Sequence, residues 1–394
     1  MDYLYYLAIL LEAIDFKVFG IQPEGIPISL GFLFLLFLGI KRYDSKIYND
    51  GIVKSFLIII TGLFISAFFS NTVINDITRT MVLSFGVILA IFFAKKVFEQ
   101  NLLDKLIYFF AALNAYWIYY VQNLFLSGQV VSDYHFNSFR QGIETINSHT
   151  VGIAISTSGI FLFTYFFLDK NLFKNVVGFS ILILSLYSLI LIQTRSNVIF
   201  ILFVAAIVVL VKFSKKLKTS QLLLAGGLFV FVFYLLPQLA SYFVGEDSAV
   251  SRRFNYEDNE YQESTTAMRR YVYIVFFKKL TTSFIGTGIV RPKLFLGVQE
   301  AQNLLMHNQY ATYVVAGGWV SLLGVLGWIA GMVKYFKQFF FSIAKMSVPL
   351  VALNFTLLIY FITLSTVEQS DISFFIFLGF LICQNFYFLK NKTI

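Results

Sequence analysis

The sequence predicts an all-α integral membrane protein with about twelve transmembrane helices. Hydrophobic residues make up 58% of the 394 residues and charged residues only 13%, whereas soluble domains are about 25% charged. Apolar runs of about 18 residues or more recur along the chain, and each is long enough to cross roughly 30 Å of hydrocarbon. Because these runs are continuous rather than alternating in short strands, they predict helices and not a barrel.

The spans follow one another in a single polytopic membrane domain that covers residues 1–394. The first span is interrupted by Glu12 and Asp15 and lacks the pattern of a signal peptide, so we expect it to be a retained helix. The predicted spans are 3–20, 26–40, 52–69, 79–97, 104–126, 150–168, 175–193, 197–212, 220–243, 310–333, 348–365 and 372–389.

Basic residues predict the orientation of the chain. Cytoplasmic connections carry an excess of Lys and Arg, so the richer set of alternate connections marks the cytoplasmic side and places both termini there. Residues 244–309 then form one long, partly helical external loop, since long loops cross the membrane largely regardless of charge. The richer set contains Lys41, Arg42, Lys46, Lys54, Lys95, Lys96, Lys105, Lys170, Lys174, Lys212, Lys215, Lys216, Lys218, Lys334, Lys337, Lys345, Lys390 and Lys392. The opposite short connections carry Lys17, Arg79, Arg140 and Arg195.

Arg195 lies in a turn of a few residues between two hydrophobic helices. A cation near the bilayer is costly unless it reaches water or a partner. One interpretation is that its side chain reaches the interface by snorkelling. The other is that it binds an anion, because guanidinium suits bidentate phosphate contact.

The external loop contains the amphipathic run MRRYVYIVFFKKL, which starts with Arg269 and Arg270 after Met268 and precedes Gly286-Thr287-Gly288. The pattern predicts a helix that lies on the outer leaflet. It is equally compatible with a second cation site for a lipid diphosphate, because such a helix would hold an arginine over the membrane surface.

His307-Asn308 stands where the loop enters the tenth predicted span. A histidine at such a place is either solvated or structural, or it accepts a proton near neutral pH. Arg140, in FRQGIETINSHTVG, is either an ordinary loop residue or a third cation of the same pocket. Aromatic residues at the end of the fifth span predict an interfacial belt rather than a sugar-stacking surface. Gly327 and Gly331 predict close helix packing.

Several classes of chemistry lack their sequence signatures. The chain has no P-loop, which argues against direct use of ATP. It has no HExxH, CxxC or DxD motif and a single cysteine, so we predict no metal and no cofactor. The net charge of +9 is spread over many connections, which favours membrane orientation over nucleic-acid binding.

The order of these motifs resembles the O-antigen polymerase and O-antigen ligase superfamily of bacterial surface-polysaccharide enzymes. The resemblance rests on the turn and helix QTRSNVIFILFVAAIVVL, the loop arginine Arg269 with Tyr273 four residues later, the Gly-x-Gly, and HNQYATYVVAGGWVSLLG. It covers the topology of the whole chain, and its motifs are concentrated in about 193–324. The turn here reads T-R-S-N where many relatives have S-R-G or S-R-A.

The resemblance implies a C-type glycosyltransferase that works without metal at the outer face of the bacterial cytoplasmic membrane. By motif, Arg195 and Arg269 would bind the diphosphate of an undecaprenyl-diphosphate-linked glycan, and His307 would assist the acceptor hydroxyl. Arg140, Arg270, Tyr273 and Asn308 are expected to contact the diphosphate or the glycan. The lipid bilayer, a chain-length regulator and a flippase are the implied partners.

Three functions remain open from the sequence. A polymerase would transfer the growing chain onto the next lipid-linked repeat unit, and His-Asn followed by GGWVSLLG favours this reading. A ligase would transfer the finished glycan to lipid A core. A flippase or transporter for the lipid-linked oligosaccharide suits twelve spans, but the chain lacks the internal repeat typical of that class.

Overall fold

The computed structural model shows an all-helical chain in the residues that it describes. Those residues are 50–99, 102–126, 148–192, 194–214, 227, 273–274, 276–278, 280–281, 283–289, 308–366 and 372–390. They form helices α1 (Gly51–Ala67), α2 (Val73–Glu99), α3 (Leu106–Leu126), α4 (Ser148–Phe167), α5 (Leu172–Leu191), α6 (Arg195–Ser214), α7 (Gln309–Ser342), α8 (Val348–Thr363) and α9 (Ile372–Lys390). A short 3₁₀ turn, Leu102–Lys105, precedes α3, and another, Ile343–Lys345, follows α7.

The observed helices match nine of the predicted spans closely at most boundaries. Three helices are long and apolar enough to cross a membrane by length and composition, and they are Leu172–Leu191, Ser196–Phe213 and Gln309–Lys345. The predicted spans 3–20, 26–40 and 220–243 lie almost entirely outside the described residues. Helix α2 begins at Val73, ahead of residue 79, where the fourth predicted span starts.

The chain divides into two compact units. Unit 1 comprises Met1–Asn101, Met268–Tyr335 and Glu368–Ile394, and unit 2 comprises Leu102–Ala267 and Phe336–Val367. Unit 2 packs α3, α4, α5, α6 and α8 around a buried apolar core. Inside it, the Asn114 Nδ2 atom donates to Ser158 Oγ at 3.0 Å and to Ser185 Oγ at 3.3 Å, which joins α3, α4 and α5 by polar contacts.

In unit 1, α1 packs closely against α7. A Cβ atom on Gly327 would lie 2.6 Å from Ser55 Oγ, and one on Gly331 would lie 2.8 Å from Ile52 Cγ1. Only small residues permit so short a distance between helix backbones. The predicted packing role of Gly327 and Gly331 is therefore confirmed.

The region of the predicted span 310–333 is not one continuous helix, because α7 is broken at Gly318. Gly318 has φ 68° and ψ −154°, which no helical residue adopts. The rings of Tyr310 and Trp328 lie 4.9 Å apart, whereas a straight helix would separate these positions by about 27 Å at ~1.5 Å per residue. Residues 309–317 (α7a) therefore fold back against residues 319–342 (α7b). The Phe56 ring of α1 contacts Tyr313 of α7a at 6.0 Å and Trp328 of α7b at 5.4 Å.

Asp50 caps the N-terminal end of α1. Its Oδ1 atom accepts the Ile52 N–H at 2.8 Å, and its Oδ2 atom accepts the Asn385 Nδ2 group of α9. Burial raises the pKa of Asp50, while the bonds from Ile52, Val53 and Asn385 oppose that rise. Because the folded state then binds this proton more tightly than the unfolded state, the contribution of Asp50 to stability falls as pH rises from 3.8 through the raised pKa.

We expect Asp50→Ala to lower the free energy of unfolding by about 1–3 kcal/mol, because a helix cap is lost and the Asn385 amide is left without its acceptor. Asp50→Asn keeps the capping oxygen but replaces the oxygen that accepts from Asn385 with an NH₂ group, so its melting temperature at pH 7 should lie between those of Asp50→Ala and the parent. Thermal melting in detergent checks both changes. Asp104→Ala, at an exposed carboxylate, is the control, and an equal loss in that variant would contradict the account.

Candidate functional site

In unit 2, Arg195 is the first residue of α6 and follows a closed turn. The N–H of Thr194 donates to the Leu189 carbonyl at 3.2 Å, and the Val198 N–H donates to the Thr194 carbonyl at 3.2 Å. Thr194 itself is buried. This turn places Arg195 beside the first N–H groups of α6, where the helix dipole favours an anion.

Asn197 and Gly152 bring α4 against this turn. Asn197 is completely buried, and within the described part of the chain neither carboxamide atom has a hydrogen-bond partner. A Cβ on Gly152 would lie 2.4 Å from the Asn197 Nδ2 atom, so α4 approaches this turn closely at the glycine. The hydrophobic pattern of α6 gave no signal for Asn197, because one polar residue does not interrupt an apolar helix.

In unit 1, residues 283–289 dock on the break in α7. The N–H groups of Thr287 and Gly288 donate to the carbonyls of Val315 and Ala316, both at 3.0 Å. The Trp319 N–H in turn donates to the Phe284 carbonyl at 3.1 Å. These bonds satisfy the backbone groups that the break exposes, as membrane proteins require. We call Gly286–Gly288 the loop tip.

The loop tip also reaches the connection between α1 and α2. The Gly286 N–H donates to Ser66 Oγ at 2.9 Å. Gly288 has φ 87°, and a Cβ on it would lie 2.6 Å from the Asp76 Oδ2 atom. Asp76 is fully buried, and its Oδ2 atom accepts hydroxyl groups from Ser70 at 2.6 Å and Thr72 at 2.8 Å. No local sequence pattern marks Asp76 as a site residue, because Gly288 lies far from it in the chain.

Two of the predicted site residues have described side chains. The Asn308 Oδ1 atom accepts the Ala311 N–H at 3.1 Å, so this side chain caps α7a. Tyr273 lies in a helical stretch and is 38% exposed, with Phe276 buried nearby. For Arg195 the structure describes the backbone only. Arg140, Arg269, Arg270 and His307 lie outside the described residues.

Within the described residues, the two regions present helix ends, hydroxyl groups and the Asp76 carboxylate. Among the described residues, no group of three or more His, Cys, Asp or Glu side chains is arranged to hold a metal ion. The start of α6 presents its first backbone N–H groups, a feature that suits anions. The loop tip rests against Asp76 and is hydrogen-bonded to the last turn of α7a.

Comparison with known proteins gives one family. Residues 180–326 match the family model described as O-antigen ligase, while no curated protein matches the chain. The matched region contains α6 with its turn, the loop tip, α7a and the break at Gly318. Members of this family are glycosyltransferase-like membrane enzymes that include polymerases and ligases. The match to residues 180–326 is consistent with the O-antigen polymerase and ligase superfamily.

Proposed function

We propose that this chain is a polysaccharide polymerase of the outer face of the bacterial cytoplasmic membrane. It transfers the growing glycan from undecaprenyl diphosphate onto the next lipid-linked repeat unit. The observation that carries the proposal is the ordered motif set within 180–326, from the Arg195 turn to His307-Asn308 and the Gly-Gly break. The family match gives no support to the flippase alternative.

In the proposed reaction, a hydroxyl oxygen of the acceptor sugar attacks the anomeric carbon of the donor glycan. The bond from that carbon to the diphosphate oxygen breaks, and undecaprenyl diphosphate leaves with the electron pair. Arg195 and Arg269 stabilise the charge that develops on the diphosphate, with Arg140 and Arg270 as further cations. His307 accepts the proton of the attacking hydroxyl. The energy of transfer is stored in the donor, so no ATP is needed.

Two features of the described residues support these roles. Arg195 stands at the N-terminal end of α6, where backbone N–H groups add to the attraction for a diphosphate. Asn308 caps α7a through its side-chain oxygen, and His307 directly precedes it in the chain. Helix α7a is capped by Asn308 at its start and held by the loop tip at Val315 and Ala316, and a fixed helix suits the precise positioning that a catalytic group demands.

The second candidate is the ligase, because the matching family model carries that description. The test supplies purified protein in detergent with undecaprenyl-diphosphate-linked repeat units, alone or together with lipid A core. A ladder of lengthening glycans without lipid A core supports the polymerase. Transfer to lipid A core without a ladder favours the ligase. The absence of both products contradicts a glycan transferase.

A further inference from the structure

The contact between Asp76 and Gly288 joins two distant segments of unit 1. The Asp76 carboxylate is fully buried and lies directly over the Gly288 Cα, because an added Cβ would meet all three carboxyl atoms at 2.6–2.7 Å. The hydroxyl groups of Ser70 and Thr72 fix the direction of the carboxylate by donating to one oxygen. The carboxylate therefore forms a rigid surface against which the loop tip rests.

The loop tip is hydrogen-bonded to α7a. Thr287 and Gly288 donate to the carbonyls of Val315 and Ala316, which belong to the last turn of α7a before Gly318. The other end of α7a begins at the capping residue Asn308. A shift of the tip would therefore shift the end of α7a to which it is hydrogen-bonded.

We propose that Asp76 is a positioning residue of the glycan-transfer reaction, acting through Gly288 on the placement of α7a, the helix that follows His307-Asn308 in the sequence. This inference rests on the polymerase proposed above. Asp76 does not touch the reacting atoms in this account, and its effect is therefore expected on kcat rather than on KM. Asp76→Ala should lower kcat roughly 10–100-fold, as a misplacement of about 1 Å commonly does, with KM changed less than about threefold.

The decisive experiment is a double-mutant cycle between positions 76 and 288. Gly288→Ala alone should lower kcat roughly 100-fold, because the new Cβ meets the carboxylate and the residue has a positive φ. Asp76→Ala opens that space. When Gly288→Ala is added to the Asp76→Ala variant, kcat should therefore fall by less than about tenfold further. Asp76→Asn keeps the size and an acceptor oxygen for both hydroxyl groups, and it should retain kcat within about threefold.

Gly286→Ala is the matched control within the same tip. Its Cβ would meet the Ala316 carbonyl oxygen at 2.1 Å, a clash that Asp76→Ala does not relieve, so its cost should be equal in both backgrounds. Melting temperatures in detergent are measured for every variant, and the comparison of kcat uses those that fold.

Parent-like kcat in Asp76→Ala, or a Gly288→Ala cost that is the same in both backgrounds, would overturn the inference. If Asp76→Ala does not fold, Asp76→Asn takes its place in the test. A well-folded Asp76→Asn that loses as much kcat as Gly288→Ala would also overturn the inference. A parent protein that extends no glycan contradicts the proposed function instead. The same cycle measured by melting temperature still reports on the contact in that case.

Discussion

Replacing Gly318 with alanine should abolish glycan transfer and lower the free energy of unfolding of unit 1 by about 3 kcal/mol or more. Gly318 has φ 68° with ψ −154°, a combination that is essentially restricted to glycine and costs other residues about 1–3 kcal/mol. A Cβ there would also lie 2.3 Å from the Phe284 carbonyl oxygen and 2.8 Å from the Gly286 nitrogen. Both neighbours are backbone atoms of the docked segment, so neither can rotate away. The tip and α7a would have to separate.

Thermal melting in detergent and the rate of chain growth check this expectation. Gly51→Ala is the matched control, because nothing lies within 4 Å of a Cβ at that position and alanine favours the first turn of α1. The control should match or exceed the melting temperature of the parent. If Gly318→Ala melts and polymerises like the parent, the fold-back of α7a on α7b is wrong.

Removing the guanidinium of Arg195 should lower kcat by about 10²–10³-fold, equivalent to about 3–4 kcal/mol of lost transition-state stabilisation. Charge develops on the diphosphate only as the lipid leaves, so the loss should fall on kcat and leave the melting temperature unchanged. Arg195→Lys keeps the positive charge but lacks the planar guanidinium group that can bind two phosphate oxygens at once. Its rate should therefore lie between those of Arg195→Ala and the parent. His307→Ala should cost about 10²–10⁴-fold, as expected for loss of a proton acceptor.

Arg79→Ala provides the comparison for these variants. Arg79 is an exposed arginine near the start of α2, on a connection predicted to face the same side as Arg195. It has no role in the proposed reaction, and its loss should change the rate less than about twofold, as expected for a surface substitution. Equal rates in Arg195→Ala, His307→Ala and the parent would remove both residues from the reaction.

The helical architecture could be predicted because a membrane-spanning helix is a local property of the sequence. Continuous apolar runs predicted α1, α3, α5 and α8 to within a few residues of their observed ends. The pair Gly327 and Gly331 predicted a close helix contact for the same reason, since small residues four positions apart share one helix face. The turn before Arg195 was equally visible as a short polar interruption.

The fold-back of α7a could not be predicted from hydropathy. Residues on both sides of Gly318 are apolar, and a sliding window therefore joins them into one span. The Gly317-Gly318 dipeptide was the one local signal, because paired glycines often mark a turn. What makes the break stable is the docked segment 283–289 with its partner Ser66, 220 residues away from Gly286. Contacts at that separation leave no trace in a single sequence, and Asp76 was missed for the same reason.

Counting products per released lipid tests the central claim most directly. Purified protein in detergent with EDTA would receive undecaprenyl-diphosphate-linked repeat units, and both free undecaprenyl diphosphate and new glycosidic bonds would be measured over time. The proposed reaction predicts one lipid diphosphate released for each bond formed, in the absence of metal and ATP. No bond formation and no lipid release, with movement of the intact lipid-linked glycan across a vesicle bilayer, would contradict it.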